Sequence, residues 1–233
     1  VRFYGASGTP GETNHITNAT FFKQRQGGIG MSYQNNARAI KNTITNTLPT
    51  PFNSYTGISL ESNNCTVIGN RVISKNNGIY IRNSEYYTPN NIQSSVINNM
   101  VYAENKGAIT IGGGYGNMDI YHNTGVGEKA NAIAGARYTD TIDFRNNIFI
   151  ADNNAAMIAS WHYAGTPFFI GDYNIYHSTG SNLITYDTNN YTNLASWQLA
   201  HNLDSNSVFG LPTFTSVTDL HLNGSLGLNT GDN

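Results

Sequence analysis

The chain has 233 residues, a formal net charge of −2 and 11% charged residues. Ordinary soluble domains carry roughly 25%, so this surface is wetted by amides and hydroxyls, with 35 Asn foremost. Near-neutrality argues against nucleic acid or an anionic membrane as partner, since both need a basic patch. No apolar run is long enough to span a bilayer, and the 39% hydrophobic content, regularly placed, excludes a disordered chain.

Val1-Arg2-Phe3-Tyr4 opens the chain in the pattern of a strand, which predicts the C-terminal portion of a longer protein whose first coils are missing. From there one phrase recurs: apolar, any, Asn, any, apolar. Its Asn falls at Asn18, Asn42, Asn70, Asn99, Asn123, Asn146 and Asn174, at nearly even intervals along the chain. A second phrase follows each Asn, as in Gly57-Ile58-Ser59-Leu60, Gly78-Ile79-Tyr80-Ile81 and Gly107-Ala108-Ile109-Thr110-Ile111. Apolar residues two apart give the period of a strand rather than a helix. Short strands broken at that interval predict a solenoid with three strands per turn. Asn accepts the left-handed conformation more readily than other residues with a side chain, so the repeat Asn is placed at the bend. Stacked from coil to coil, such residues bond through their amides. Ile44, Val72, Val101 and Ile148 are then core residues. Near the end, Leu194, Trp197 and Leu199 after Thr192 or Asn193 predict one short helix that covers the last coil. The single cysteine, Cys65, makes no intrachain disulfide and no Cys-type zinc site.

The apolar-x-Asn-x-apolar and Gly-Ile-x-Ile phrases resemble the right-handed parallel β-helix repeats of the pectate-lyase-like superfamily. The resemblance covers the whole chain. The tail, with Leu211-Pro212-Thr213-Phe214, Asp219-Leu220-His221-Leu222 and Gly224-Ser225, is similar to the closing segment of secreted bacterial members. The fold it implies is all-β: one domain over 1–233, a right-handed parallel β-helix (solenoid) of about eight coils. At roughly 4.8 Å per coil it would stand about 40 Å tall, with residues 190–233 as an irregular closing segment. The resemblance carries no catalytic residues across. The paired-Asp phrases of polygalacturonases and the Arg-x-Pro-x-x-Arg phrase of pectate lyases are missing. Inverting or retaining hydrolysis needs two facing carboxylates, and the 14 acids are scattered.

Candidate chemistry comes from columns of residues at like offsets from the repeat Asn. Tyr33, Tyr86, Tyr115, Tyr138 and Trp161 fall at nearly the same offset past it. Such a line either stacks sugar rings on aromatic planes or packs as structural cover. Gly112-Gly113-Gly114 beside Tyr115 favours an open groove. Arg82, Arg137 and His162 adjoin the line. A lyase acting on uronic-acid chains neutralises a carboxylate, which suits Arg, and removes the neighbouring proton, which suits His. The assignment is Arg137 and His162 for catalysis, with Tyr115, Tyr138, Trp161 and Arg82 for substrate; Arg82 can instead pair with Glu61. Lys41, His122 and Arg145, each just before a repeat Asn, form an outward column. Lys75, Glu104, Glu128, Lys129 and Asp152 read as a row of surface salt bridges. Asp140 with Asp143 and the Glu104 to Asp152 row are the acid groupings, too sparse in oxygen for calcium, and no metal or other cofactor is expected.

Two functions follow. One is a secreted or cell-surface protein that binds an extended acidic polysaccharide, with or without cleaving it in the manner of a polysaccharide lyase. The other is a non-catalytic extracellular structural or adhesive module that self-associates end to end or side by side.

Overall fold

The computed structural model describes residues 1–4, 13–22, 27–47, 56–83, 92–112, 114, 116–135, 141–159, 168–216 and 219–223. The described chain is a parallel β-solenoid with three sheets. A representative coil runs through Asn77–Arg82 in the first sheet, Gln93–Ile97 in the second and Met100–Ala103 in the third. The first and third sheets each stack eight parallel strands and the second stacks seven. Seven turns are therefore complete and the eighth lacks its second strand, slightly fewer than the sequence suggests. Side chains alternate at the period of a strand: Ile79 and Ile81 are fully buried while Tyr80 and Arg82 face outward. Register places like on like, so Ile58, Ile79, Ile109 and Ile133 stack along the interior.

The turn between the second and third sheets is built on the Asn column. Asn42, Asn70, Asn99, Asn123, Asn147 and Asn174 are all buried. The backbone N and the Nδ2 of Asn70 both donate to Asn99 Oδ1 at 2.9 Å. Asn99 does the same to Asn123 Oδ1, at 3.0 and 2.9 Å, and its Nδ2 also reaches down to Val67 O at 2.9 Å. Each amide thus satisfies a buried N–H and a buried carbonyl of the preceding coil, as Asn99 does for Asn70 N and Val67 O.

Two expectations change here. The left-handed residue is not the ladder Asn but the one before it: Lys41, Gly69, Asn98, His122, Asn146 and Tyr173 have φ between 53° and 65°. In the sixth coil the ladder residue is Asn147 rather than Asn146, because Phe144 is the inward residue and Arg145 faces out. That shifts the core position from Ile148, which is half-buried, to Phe149, which is fully buried. Ile44, Val72 and Val101 are core residues as expected. Asn18 likewise turns left-handed, at φ 53°, and Ala19 takes the ladder place, donating its N to Asn42 Oδ1 at 2.9 Å.

The ladder ends on a carboxylate. Asp204, 1% exposed, accepts from Asn174 Nδ2 at 3.0 Å, Tyr176 Oη at 3.1 Å and Trp197 Nε1 at 2.8 Å. Trp197 belongs to helix α1 (Leu194–His201), capped by Asn193 through a 2.9 Å bond from Ser196 N. Leu194 and Trp197 are buried as the spacing predicts, whereas Leu199 is 89% exposed and forms no part of the packed face. Beyond it, the antiparallel hairpin Phe214–Ser216 and Asp219–Leu222 follows.

Replacing Asn99 by Leu should lower stability by about 2 to 4 kcal/mol in denaturant unfolding, since it orphans the buried Asn70 N–H and Val67 carbonyl of the preceding coil. Asn98→Gly should change it by less than about 1 kcal/mol, because only the left-handed backbone is required there. Cys65 is fully buried and burial pushes its thiol up to about 12. Thiol reagents should therefore label it only in denaturant, as mass spectrometry would read.

Candidate functional site

The outer face of the first sheet carries side chains from neighbouring coils in register. Ser59, Tyr80 and Thr110 form one column; Glu61 and Arg82 form the next. All are half-buried. The Tyr80 ring reclines toward the following coil: a Cβ at Gly112 would collide with its phenol end. Gly112 thus gives the ring its room. Tyr80 and Arg82, two positions apart, both face outward on one strand.

Of the residues the sequence assigns to the site, Arg82 lies on this face, register partner of Glu61. Tyr115, Arg137, Tyr138, Trp161 and His162 lie outside the described residues, as does Tyr86. The flanking strands are described: Ile133–Gly135 and Met157–Ala159 are adjacent in the first sheet, and Thr141–Arg145 and Phe168–Asp172 in the second. Tyr33 sits at φ 56° in a bulge between Ser32 and Asn35. With Ala19 and Asn147 as ladder positions, Tyr33 and Trp161 each lie one position closer to the ladder than Asn18 and Asn146 imply, so the aromatic line is less regular than expected. Tyr80 escaped the sequence argument because it occupies the Gly-Ile-x-Ile phrase and reads as an ordinary strand residue.

The second sheet carries a hydrogen-bonded network of carboxylates. Asp119 and Asp143 are register partners, and Tyr121 Oη donates to Asp119 Oδ1 at 3.2 Å. Arg145 Nε lies 2.9 Å from Asp143 Oδ1. Burial first, and then the Asp143 and Asp119 carboxylates, raise the Tyr121 phenol above its ordinary range. Asp172 is the register partner of Arg145 and accepts from Asn206 N at 2.7 Å and Asn206 Nδ2 at 2.8 Å. Arg145 therefore belongs with Tyr121 and Asp172, one position before the left-handed residue, and not in the column of Lys41 and His122.

On the third sheet the expected salt-bridge row is present in part, through Lys75, Glu104 and Lys129. Glu104 accepts Lys75 at 2.6 Å and Lys129 at 2.8 Å. Tyr102 Oη donates to Glu128. Further in, Tyr102, Val126 and Ile150 form an outward apolar column in register, and Pro212, Phe214 and Leu220 face it across a cavity of about 610 Å³. Among the described residues no group of three or more His, Cys, Asp or Glu could hold a metal ion, and no helix is long and apolar enough to cross a membrane.

Comparison with protein-family models, curated proteins and solved structures finds no match.

The Lys129 and Lys75 hydrogen bonds hold the Glu104 carboxyl below its usual range. A depressed carboxylate pKa stabilises the fold above the unfolded value, about 4.3, and that contribution is lost as pH falls through the folded value. Glu104→Gln should flatten the acid limb of the stability profile and cost less than about 1 kcal/mol at neutral pH, because the group is only partly shielded from solvent. Thermal melts between acid and neutral pH would measure both effects.

Proposed function

We propose that the protein is a secreted or cell-surface carbohydrate-binding β-helix of pectate-lyase-like type, which holds an extended acidic polysaccharide along the outer face of its first sheet and the turns that follow. The observation that carries this reading is the placing of Tyr80 and Arg82 on the outer face of one strand, with the Tyr80 ring lying over Gly112. An aromatic plane takes the apolar face of a sugar ring, and a guanidinium binds a carboxylate bidentately. The strand spacing of roughly 4.8 Å makes each coil a repeated platform for successive sugar units. Cleavage, where it occurs, is of the lyase type: Arg137 neutralises the uronate, His162 takes the proton beside it, that electron pair forms a C=C bond, and the glycosidic oxygen leaves and takes a proton from water.

A panel of uronate and neutral polysaccharides, read by the ultraviolet absorbance of unsaturated uronate and by glycan-array binding, tests this. A uronate chain should bind, and Tyr80→Ala and Trp161→Ala should each weaken it by about 1 to 3 kcal/mol with little change in melting temperature. Arg82→Ala and Arg137→Ala should remove the preference for uronate over neutral chains. Binding to none of the panel would favour the structural or adhesive module instead.

A further inference from the structure

The third sheet carries a site that the glycan reading does not use. Outward positions of a solvated sheet are expected to be polar, yet Ile73 and Ile150 in this column are 7% and 4% exposed. The cavity between that column and the closing segment has about 610 Å³, within the range of small-molecule sites. Its body is apolar: Val126 and Ile150 on the sheet side, Pro212, Phe214 and Leu220 on the other. Its polar lining includes two carboxylates, Glu128 and Asp152.

Those carboxylates sit just after Gly127 and Ala151, which are register partners on successive coils. They are therefore about one strand spacing, roughly 4.8 Å, apart at the backbone, and one cation can reach both. The neighbouring ammonium groups, Lys75 and Lys129, both close on Glu104. Glu128 accepts the Tyr102 hydroxyl. No ion pair of Asp152 occurs among the described residues. A carboxylate pair at the wall of an apolar cavity favours a ligand that brings positive charge, because an anion there meets repulsion and a neutral apolar molecule leaves the carboxylates uncompensated.

We propose that this cavity binds a compact amphipathic organic cation, with its apolar body between Val126, Ile150, Phe214 and Leu220 and its ammonium between Glu128 and Asp152. The Tyr102 bond fixes the Glu128 carboxylate at one side of the charge. The apolar part contributes affinity through area removed from water, and the carboxylate pair contributes selection for charge. Phenethylamine has this chemistry and serves as the probe.

Calorimetric titration of the whole chain at neutral pH with phenethylamine, phenethyl alcohol and phenylacetate tests the proposal. The amine should bind saturably at one site, the alcohol about tenfold more weakly and the acid not at all. Asp152→Asn should weaken the amine about tenfold with an unchanged melting temperature, while Tyr80→Ala on the first sheet should leave amine binding as it was. Glu128→Gln should act in the same direction; if loss of the Tyr102 contact prevents folding, the Asp152 variant decides alone. Equal binding of amine and alcohol, absence of saturation with the amine, or an Asp152→Asn protein that binds the amine as the parent does would each overturn it. None of these outcomes bears on the glycan reading, whose face and probes are separate.

Discussion

Each complete coil of the described chain turns from its second sheet to its third on a left-handed residue, and that turn leaves a backbone N–H with no partner in its own coil. The amide oxygen of the next coil's Asn accepts it, at 2.9 to 3.0 Å along the whole column. The arrangement has two consequences. The left-handed residue is held in place by bonds one position later, so Lys41, His122 and Tyr173 can occupy a conformation that residues with side chains rarely adopt. The side chain at that bend is also free to vary, which is why Asn, Lys, Gly, His and Tyr all appear there while the ladder itself stays Asn from Asn42 to Asn174.

With the interior fixed by amide and aliphatic stacks, chemistry is left to the outer faces, and the three sheets use theirs differently. The first presents a ring and a guanidinium on one strand. The second binds its own carboxylates to Tyr121, Arg145 and Asn206, so each carboxylate there already has a partner. The third turns Tyr102, Val126 and Ile150 outward and sets the closing segment across from them. A protein with so few charges has little long-range field, so short-range geometry at each face decides what binds.

The fold was legible in the sequence because period-2 alternation and a recurring Asn are local signals that repeat on every coil. Errors arose where two local solutions fit equally. Asn146-Asn147 offered two candidates for one ladder place, and only the burial of Phe144 against the exposure of Arg145 distinguishes them. Leu199 fitted a helical spacing but the packed face of α1 is narrow, holding Leu194 and Trp197. The candidate site was legible in part. Arg82 with Glu61 could be placed from offsets, since register is a matter of counting. Tyr80 could not, because its importance comes from a ring reaching toward Gly112 on another coil. The third-sheet cavity was hidden for the same reason: Ile150 and Leu220 are distant in the chain and meet only through its return.

That return belongs to the larger problem of ending a stack. An open β-edge pairs with other chains unless it is blocked, and this end has several separate groups to satisfy. The first sheet is closed by Asn189–Tyr191, which pairs antiparallel to Ile184–Tyr186 and so departs from the direction of the other strands. The core is closed by α1, with Trp197 packed edge-on against Tyr186 and Tyr191. His201 from the same helix bonds Tyr191 Oη at 2.8 Å, and burial lowers its pKa, which favours the neutral imidazole among these rings. The ladder needs only acceptors here, because no further Asn follows: Asn174 N donates to Ser207 Oγ at 2.8 Å and Asn174 Nδ2 to Asp204. A carboxylate meets that need where another Asn would leave its own amide hydrogens unpaired. Asp204 is therefore acidic for a reason of direction: the column donates toward the C-terminus, and its last member has nothing left to donate to.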